Sequence, residues 1–181
     1  MNLHRIHPLP GGTTVVCRNR PERRDKTVSN TNKATVRRFV EEFQGAGRQD
    51  VAQQLLAADF RNRTAGPGEA DGRAGVLETF ALLRAALPDL HVEVHDMLAD
   101  GDRVATRKTF YGTVPGLPWR SSRRRQVAID IMDIVRVRDG RIVEHWNSVD
   151  RLSVVRQLGV GGIARLVTHR IESRIGPTRS A

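Results

Sequence analysis

The stretch Ile129–Asp150, IDIMDIVRVRDGRIVEHWNSVD, decides the fold. Apolar and polar residues alternate on both sides of Asp139-Gly140, which predicts a β-hairpin turning there. A two-residue loop would pair Arg138 with Arg141. A type I turn with a glycine bulge, Gly140 taking φ > 0, would pair Val137 with Arg141. A slip of one residue carries a strand's side chains to the other face, so the register decides which residues meet. The bulged register is the one expected. It sets Ile131, Asp133, Val135 and Val137 beside Val143, His145, Asn147 and Val149, with Asp133 opposite His145 and diagonal to Asn147. An acid, an imidazole and an amide on an aliphatic wall point to a pocket rather than a packed core.

Outward from the hairpin, Asp150 can cap a last helix over Leu152–Leu158, ended by Gly159. Upstream, His91–Leu98 and Arg103–Tyr111 alternate around an Asp100-Gly101 turn, and a loop from Gly112 to Arg125 leads into the hairpin. Before Leu90 the period is helical. A first helix starts near Ser29–Thr31 with Val36, Phe39, Val40 and Phe43 on one face, and Gly45 and Gly47 end it. A short second helix is capped by Asp50, and Phe60 to Arg63 reads as a short extended piece. A third helix turns Val76, Leu77, Phe80, Leu83 and Leu87 inward and closes at Pro88. Helices followed by a meander give an α+β fold in which a curved antiparallel sheet wraps around the N-terminal helices.

The chain of 181 residues carries a net charge of +10, which invites a nucleic-acid reading. The charge is unevenly placed: +4 in residues 1–28, +5 in 151–181 and only +1 in 29–150. The folded part is nearly neutral, so nucleic acid is not the expected partner. Arginine outnumbers lysine 27 to 3, which reads as coding bias of a GC-rich genome. Residues 1–28 form a basic leader expected to be disordered, 29–159 the domain, and 160–181 a basic tail with an amphipathic pattern, favoured as a helix docked on protein. No run approaches the roughly 18–20 apolar residues of a membrane span. The single cysteine, Cys17, fits a reducing compartment, and a cytoplasmic location is expected.

Four segments in order, PDLHVEVHDMLADGDRVATR (Pro88–Arg107), YGT (Tyr111–Thr113), DIVRVRDGRIVEHW (Asp133–Trp146) and RQLG (Arg156–Gly159), resemble the SnoaL-like polyketide cyclases of the nuclear transport factor 2-like fold. The resemblance spans roughly residues 30–159. It implies a cone-shaped α+β barrel-like fold, a homodimer, an apolar cavity at the open end and a place in secondary metabolism. It also implies intramolecular aldol condensation on a polyketide ester, with no metal or organic cofactor. In that family an aspartate near the end of the last strand acts as acid/base, helped by a histidine on the preceding strand. Asn147 matches the aspartate and Asp133 the histidine. Asn147 cannot take a proton at neutral pH, so the aspartate's role does not transfer to it. Val114 stands where the family has a histidine after Gly-Thr.

The candidate catalytic residues are therefore Asp133, His145 and Asn147. Asp133 is expected as general base, its pKa raised by apolar surroundings. His145 would share or orient the proton, and Asn147 would hold a carbonyl or enolate oxygen. Phe43, Asn62, Tyr111 and Trp119 are candidate substrate contacts, although core packing is the favoured role for Phe43 and Tyr111. His91, Glu93 and His95 have metal-ligand spacing but share the face opposite Val92, Val94 and Leu98, so they should face solvent and no metal is expected. The leading expectation is a cofactor-independent enzyme moving protons on a hydrophobic carbonyl compound, by aldol cyclisation or isomerisation. The rivals are a non-catalytic small-molecule binder with the same cavity, and a hydrolase or hydroxylase using it.

Overall fold

The computed structural model of the chain describes residues 26–66, 68–115 and 125–158. Helix α1 (Lys26–Arg38) runs directly into a π-helical segment (Phe39–Gly45), followed by α2 (Gln49–Leu55), β1 (Leu56–Asn62) and α3 (Arg73–Ala86). Strands β2 (His91–Asp100), β3 (Arg103–Val114), β4 (Arg125–Arg138) and β5 (Arg141–Val149) then form the meander. A final helix, α4, covers residues 151–158.

Helix α1 begins at Lys26, ahead of the expected Ser29–Thr31 start, and Thr31 is interior, its hydroxyl donating back to Thr27 O at 3.0 Å. Asp50 is not the cap of α2: the helix already includes Gln49, and Asp50 lies in its first turn, ion-paired to Arg48 at 2.8 Å. Asp150 does cap α4, its Oδ1 accepting from Ser153 N–H at 2.9 Å. Trp119, Gly159, the leader up to residue 25 and the tail lie outside the described residues.

The sheet order is β1-β5-β4-β3-β2. Three pairings are antiparallel, but β1 lies parallel to β5, so the curved, unclosed sheet is mixed rather than antiparallel throughout. The piece expected at Phe60–Arg63 is the end of this extra strand. It sets Asn62 level with His145, and Arg63 N–H donates to His145 O at 2.8 Å.

The hairpin at Asp139-Gly140 differs in register from the expectation. Arg138 pairs with Arg141 across a two-residue loop, and both loop residues have positive φ, 50° and 72°, the signature of a type I′ turn. A bulge then falls between Val137↔Ile142 and Arg136↔Glu144. It restores the original facing, so Asp133, Val135, His145 and Asn147 still share one side. Asp133 now sits opposite Asn147 and Val135 opposite His145. Ile142 pairs with Val137, and the extra residue Val143 is buried as well.

The core fills the space between helices and concave sheet. Val36, Phe39, Val40 and Phe43 meet Val51, Leu55, Phe60, Val104, Val135 and Ile142. A second cluster around Leu87, Leu90, Phe110, Val127 and Leu158 closes the other end. Phe39, Phe43, Phe80 and Phe110 form a relay of rings with centroids 5.0–5.9 Å apart. Leu98 was expected inward but is 73% exposed, because a bulge at His95 shifts the alternation and sends Met97 and Ala99 to the core instead.

Candidate active site

A cavity opens between the helices and the β1–β5–β4 edge of the sheet, with about 420 Å³ of space including its open mouth. Its apolar side is Phe39, Phe60, Phe80, Val76, Val135 and Ile142. Its polar side is Gln44, Asn62, Thr79, His145 and Asn147. Three expected site residues, His145, Asn147 and Asn62, therefore meet at one wall.

Asp133 stands behind that wall. Its side chain is only 4% exposed and His145 is 13% exposed, with His145 Nε2 3.3 Å from Asp133 Oδ2. The same oxygen accepts from Lys108 Nζ at 2.5 Å, and Lys108 is 1% exposed. Thr106 Oγ1 donates to the other oxygen, Oδ1. Lys108 Nζ also donates to Gln44 Oε1 at 2.7 Å and lies 5.6 Å from the centre of the Phe110 ring. The acid is thus the hub of a satisfied buried network.

This network reverses the expected electrostatics. Burial alone would push the Asp133 carboxyl up, but the Lys108 charge and the His145 contact outweigh it and hold the group well below the usual carboxylate range. The expectation of a raised pKa took account of the aliphatic neighbours and omitted the cation. Asp133 is an ionised anchor at neutral pH.

Lys108, Gln44 and Thr106 complete the network from outside the hairpin and are not among the expected site residues. Strand β3 alternates Val104, Thr106, Lys108, Phe110 toward the core, and all four are buried. That parity was the available signal. Gln44 is delivered by the π-helical segment, where Ala46 N–H reaches back five residues to Glu41 O at 2.9 Å. Such segments often occur at functional sites. Its end is tied down by Arg84, whose Nη2 donates to the carbonyls of Gln44 and Gly45 at 2.9 and 2.7 Å.

On the rim, Asn62 Oδ1 accepts from Thr64 N–H and Oγ1–H at 3.2 and 3.1 Å. Thr64 Oγ1 in turn accepts from Asn147 N–H at 3.2 Å, so the two asparagines are braced by one threonine. With its oxygen engaged, Asn62 presents its amide N–H groups as donors.

Phe43 and Tyr111 are not brought to the cavity. Phe43 is 2% exposed between Phe39 and Phe80. Tyr111 lies on the β3 face opposite Lys108 and stacks on His91, centroids 5.4 Å apart. Among the described residues no group of three histidine, cysteine, aspartate or glutamate side chains is placed to hold a metal ion. His95 hydrogen-bonds Thr109 Oγ1 at 2.7 Å, and Thr109 donates to Asp130 at 2.6 Å on the outer face. No helix among the described residues is long and apolar enough to cross a membrane.

A helical layer inside a curved mixed sheet, with a polar-walled apolar cavity at one edge, defines a cone-shaped α+β fold. The chain belongs to the SnoaL-like polyketide cyclase family, whose model matches residues 34–158. It is similar to a candidate polyketide cyclase from Bacillus cereus ATCC 10987, at 26% identity over 75% of this chain and 85% of that one, TM-score 0.66. IdmH, a candidate polyketide cyclase from Streptomyces antibioticus, is 30% identical over 71% of this chain and 99% of its own, TM-score 0.63. A candidate SnoaL-like polyketide cyclase from Jannaschia sp. CCS1 shares the fold at 23% identity over 77% and 99%, TM-score 0.64. No curated protein matches the chain.

Proposed function

We propose that the cavity takes a hydrophobic, carbonyl-bearing molecule, polyketide-like or aromatic, and that the protein moves protons on it without a cofactor, by aldol cyclisation or isomerisation. The observation that carries this reading is an imidazole at the wall of an apolar cavity, backed by a buried carboxylate and flanked by two carboxamides. With its proton on Nε2, His145 donates to Asp133 and keeps Nδ1 as the basic nitrogen. Nδ1 removes a proton next to a substrate carbonyl. The enolate oxygen is stabilised by amide N–H groups of Asn62 and Asn147. In an aldol closure the enolate carbon bonds to a second carbonyl carbon of the same molecule, and the imidazolium returns its proton to the new alkoxide. Asp133 supports this by orienting the ring. Its own ion pair makes it a weak base, so the proton-moving part passes from Asp133 to His145.

Exchange of α-protons for deuterium tests the reading directly. Aryl ketones and β-keto esters incubated in D₂O should exchange faster with the protein than without, as read by mass spectrometry. His145→Gln should lose about 10²-fold or more of that acceleration. Binding of these compounds with exchange no faster than in solvent would favour a ligand-binding protein instead. The lack of a titratable group at Asn147 speaks for that second reading.

The family resemblance also implies a homodimer, and the outer sheet face suits one. Leu98, Ala105, Ile134 and Trp146 are successive cross-strand neighbours, and Leu98, Ile134 and nearby Met132 are 73%, 45% and 62% exposed. Sedimentation should give twice the chain mass, and Met132→Glu should shift it to the monomer.

A further inference from the structure

We infer that Lys108 is a positioning residue for His145: it is the standing counter-cation of Asp133, so the buried carboxylate orients the imidazole through a hydrogen bond without needing the ring as its ion-pair partner. The inference rests on His145 as the proton-moving group.

The geometry supplies the argument. One oxygen, Asp133 Oδ2, serves both nitrogens, with Lys108 Nζ at 2.5 Å and His145 Nε2 at 3.3 Å. The shorter contact belongs to the deeper group, 1% exposed against 13%. A buried carboxylate lacking a partner cation draws a proton onto the nearest base, and here that base is His145. A resident ammonium cancels the carboxylate's charge first. The ring then loses its reason to hold a second proton while keeping the hydrogen bond that orients it.

Among the described residues lining the cavity, no other charge competes at this wall. The buried titratable groups on β4 and β3, among the described residues, are Asp133 and Lys108. The remaining polar cavity groups are Asn62 from β1, Thr79 from α3, Gln44 from the π-helical segment and Asn147 on its own strand, none titratable, and the rest of the lining is apolar. Glu144, the preceding residue, is engaged by Arg63 and Arg136. Gln44 fixes the ammonium, accepting from Nζ at 2.7 Å.

The test is an NMR titration of the His145 ring in isotopically labelled protein, assigned with His145→Gln. In Lys108→Met the charged-to-neutral ratio should rise by about tenfold or more. Lys108→Met/Asp133→Asn should bring that ratio back to the wild-type one, and the acid limb of α-proton exchange should move up in pH in Lys108→Met alone. An unchanged titration in Lys108→Met overturns the inference whether or not the protein turns over substrate. Should Lys108→Met fold poorly at pH 8, it should fold at pH 5.5, where His145 can supply the missing cation. Equal failure at both values also overturns it. Absence of exchange in the wild type would count against the proposed function and leave the ring titration to decide the role of Lys108.

Discussion

Lys108 Nζ lies 2.5 Å from Asp133 Oδ2, with side chains 1% and 4% exposed, an ion pair sealed beneath the cavity wall. Two opposed terms govern its energetics. Desolvating both charges is costly, and their attraction together with Thr106 and Gln44 offsets that cost. Removing one partner leaves the other charged in the core. Lys108→Ala should therefore lower the unfolding free energy by about 3–5 kcal/mol, whereas Lys108→Met/Asp133→Leu should cost far less or even stabilise. Urea unfolding of the two variants checks the difference.

The depressed Asp133 pKa sets a direction for acid stability. A carboxyl whose folded pKa lies below its unfolded value contributes stability that is complete above the unfolded value of about 3.9. That contribution drains away as the pH falls from there toward the folded value. The wild type should lose Tm steeply below about pH 4. Lys108→Met/Asp133→Leu should show a shallower loss over the same window.

How much of this was legible varies by residue, for physical reasons. The inward set of Asp133, His145 and Asn147 could be read because side chains alternate between faces along each strand on either side of the bulge, even though Met132, Ile134 and Trp146 make the outer face partly apolar too. Their register could not, since Ile142 and Val143 are both aliphatic and neither marks which is the bulged residue. The bulge at His95 hid the exposure of Leu98 in the same way. Lys108 carried a signal in its alternation with Val104, Thr106 and Phe110, and as one of only three lysines beside 27 arginines. Its pairing with Asp133 lies on another strand, 25 residues away, where no spacing rule reaches. The aliphatic neighbours of Asp133 therefore suggested a raised pKa that the cation reverses.

The position of Gln44 depends on a close approach at Gly45. A Cβ there would stand 2.8 Å from Val92 Cγ1 on β2, tighter than real side chains permit. Gly45→Ala should push the π-helical segment off the sheet and cost about 1–3 kcal/mol. Because Gln44 moves with it, the Lys108 contact should weaken too. The variant should shift the His145 ring titration toward the charged form, whereas Gly140→Ala, at a distant turn, should destabilise without that shift.

Asn147 faces Asp133 directly across β4 and β5, which makes Asn147→Asp the most informative single change. It puts a carboxyl back where the family resemblance places its acid/base aspartate. Lys108 can neutralise only one carboxylate, and Asp133 already holds it at 2.5 Å. The new acid therefore meets an ionised neighbour with no cation of its own, which raises its pKa. A raised folded pKa means the folded state binds more protons than the unfolded chain in the intervening range, so stability falls as pH rises through it. Asn147→Asp should match the wild type near pH 4 and lose Tm toward pH 7. Differential scanning calorimetry across that range measures it, and a flat difference would mean the two side chains do not share one electrostatic environment.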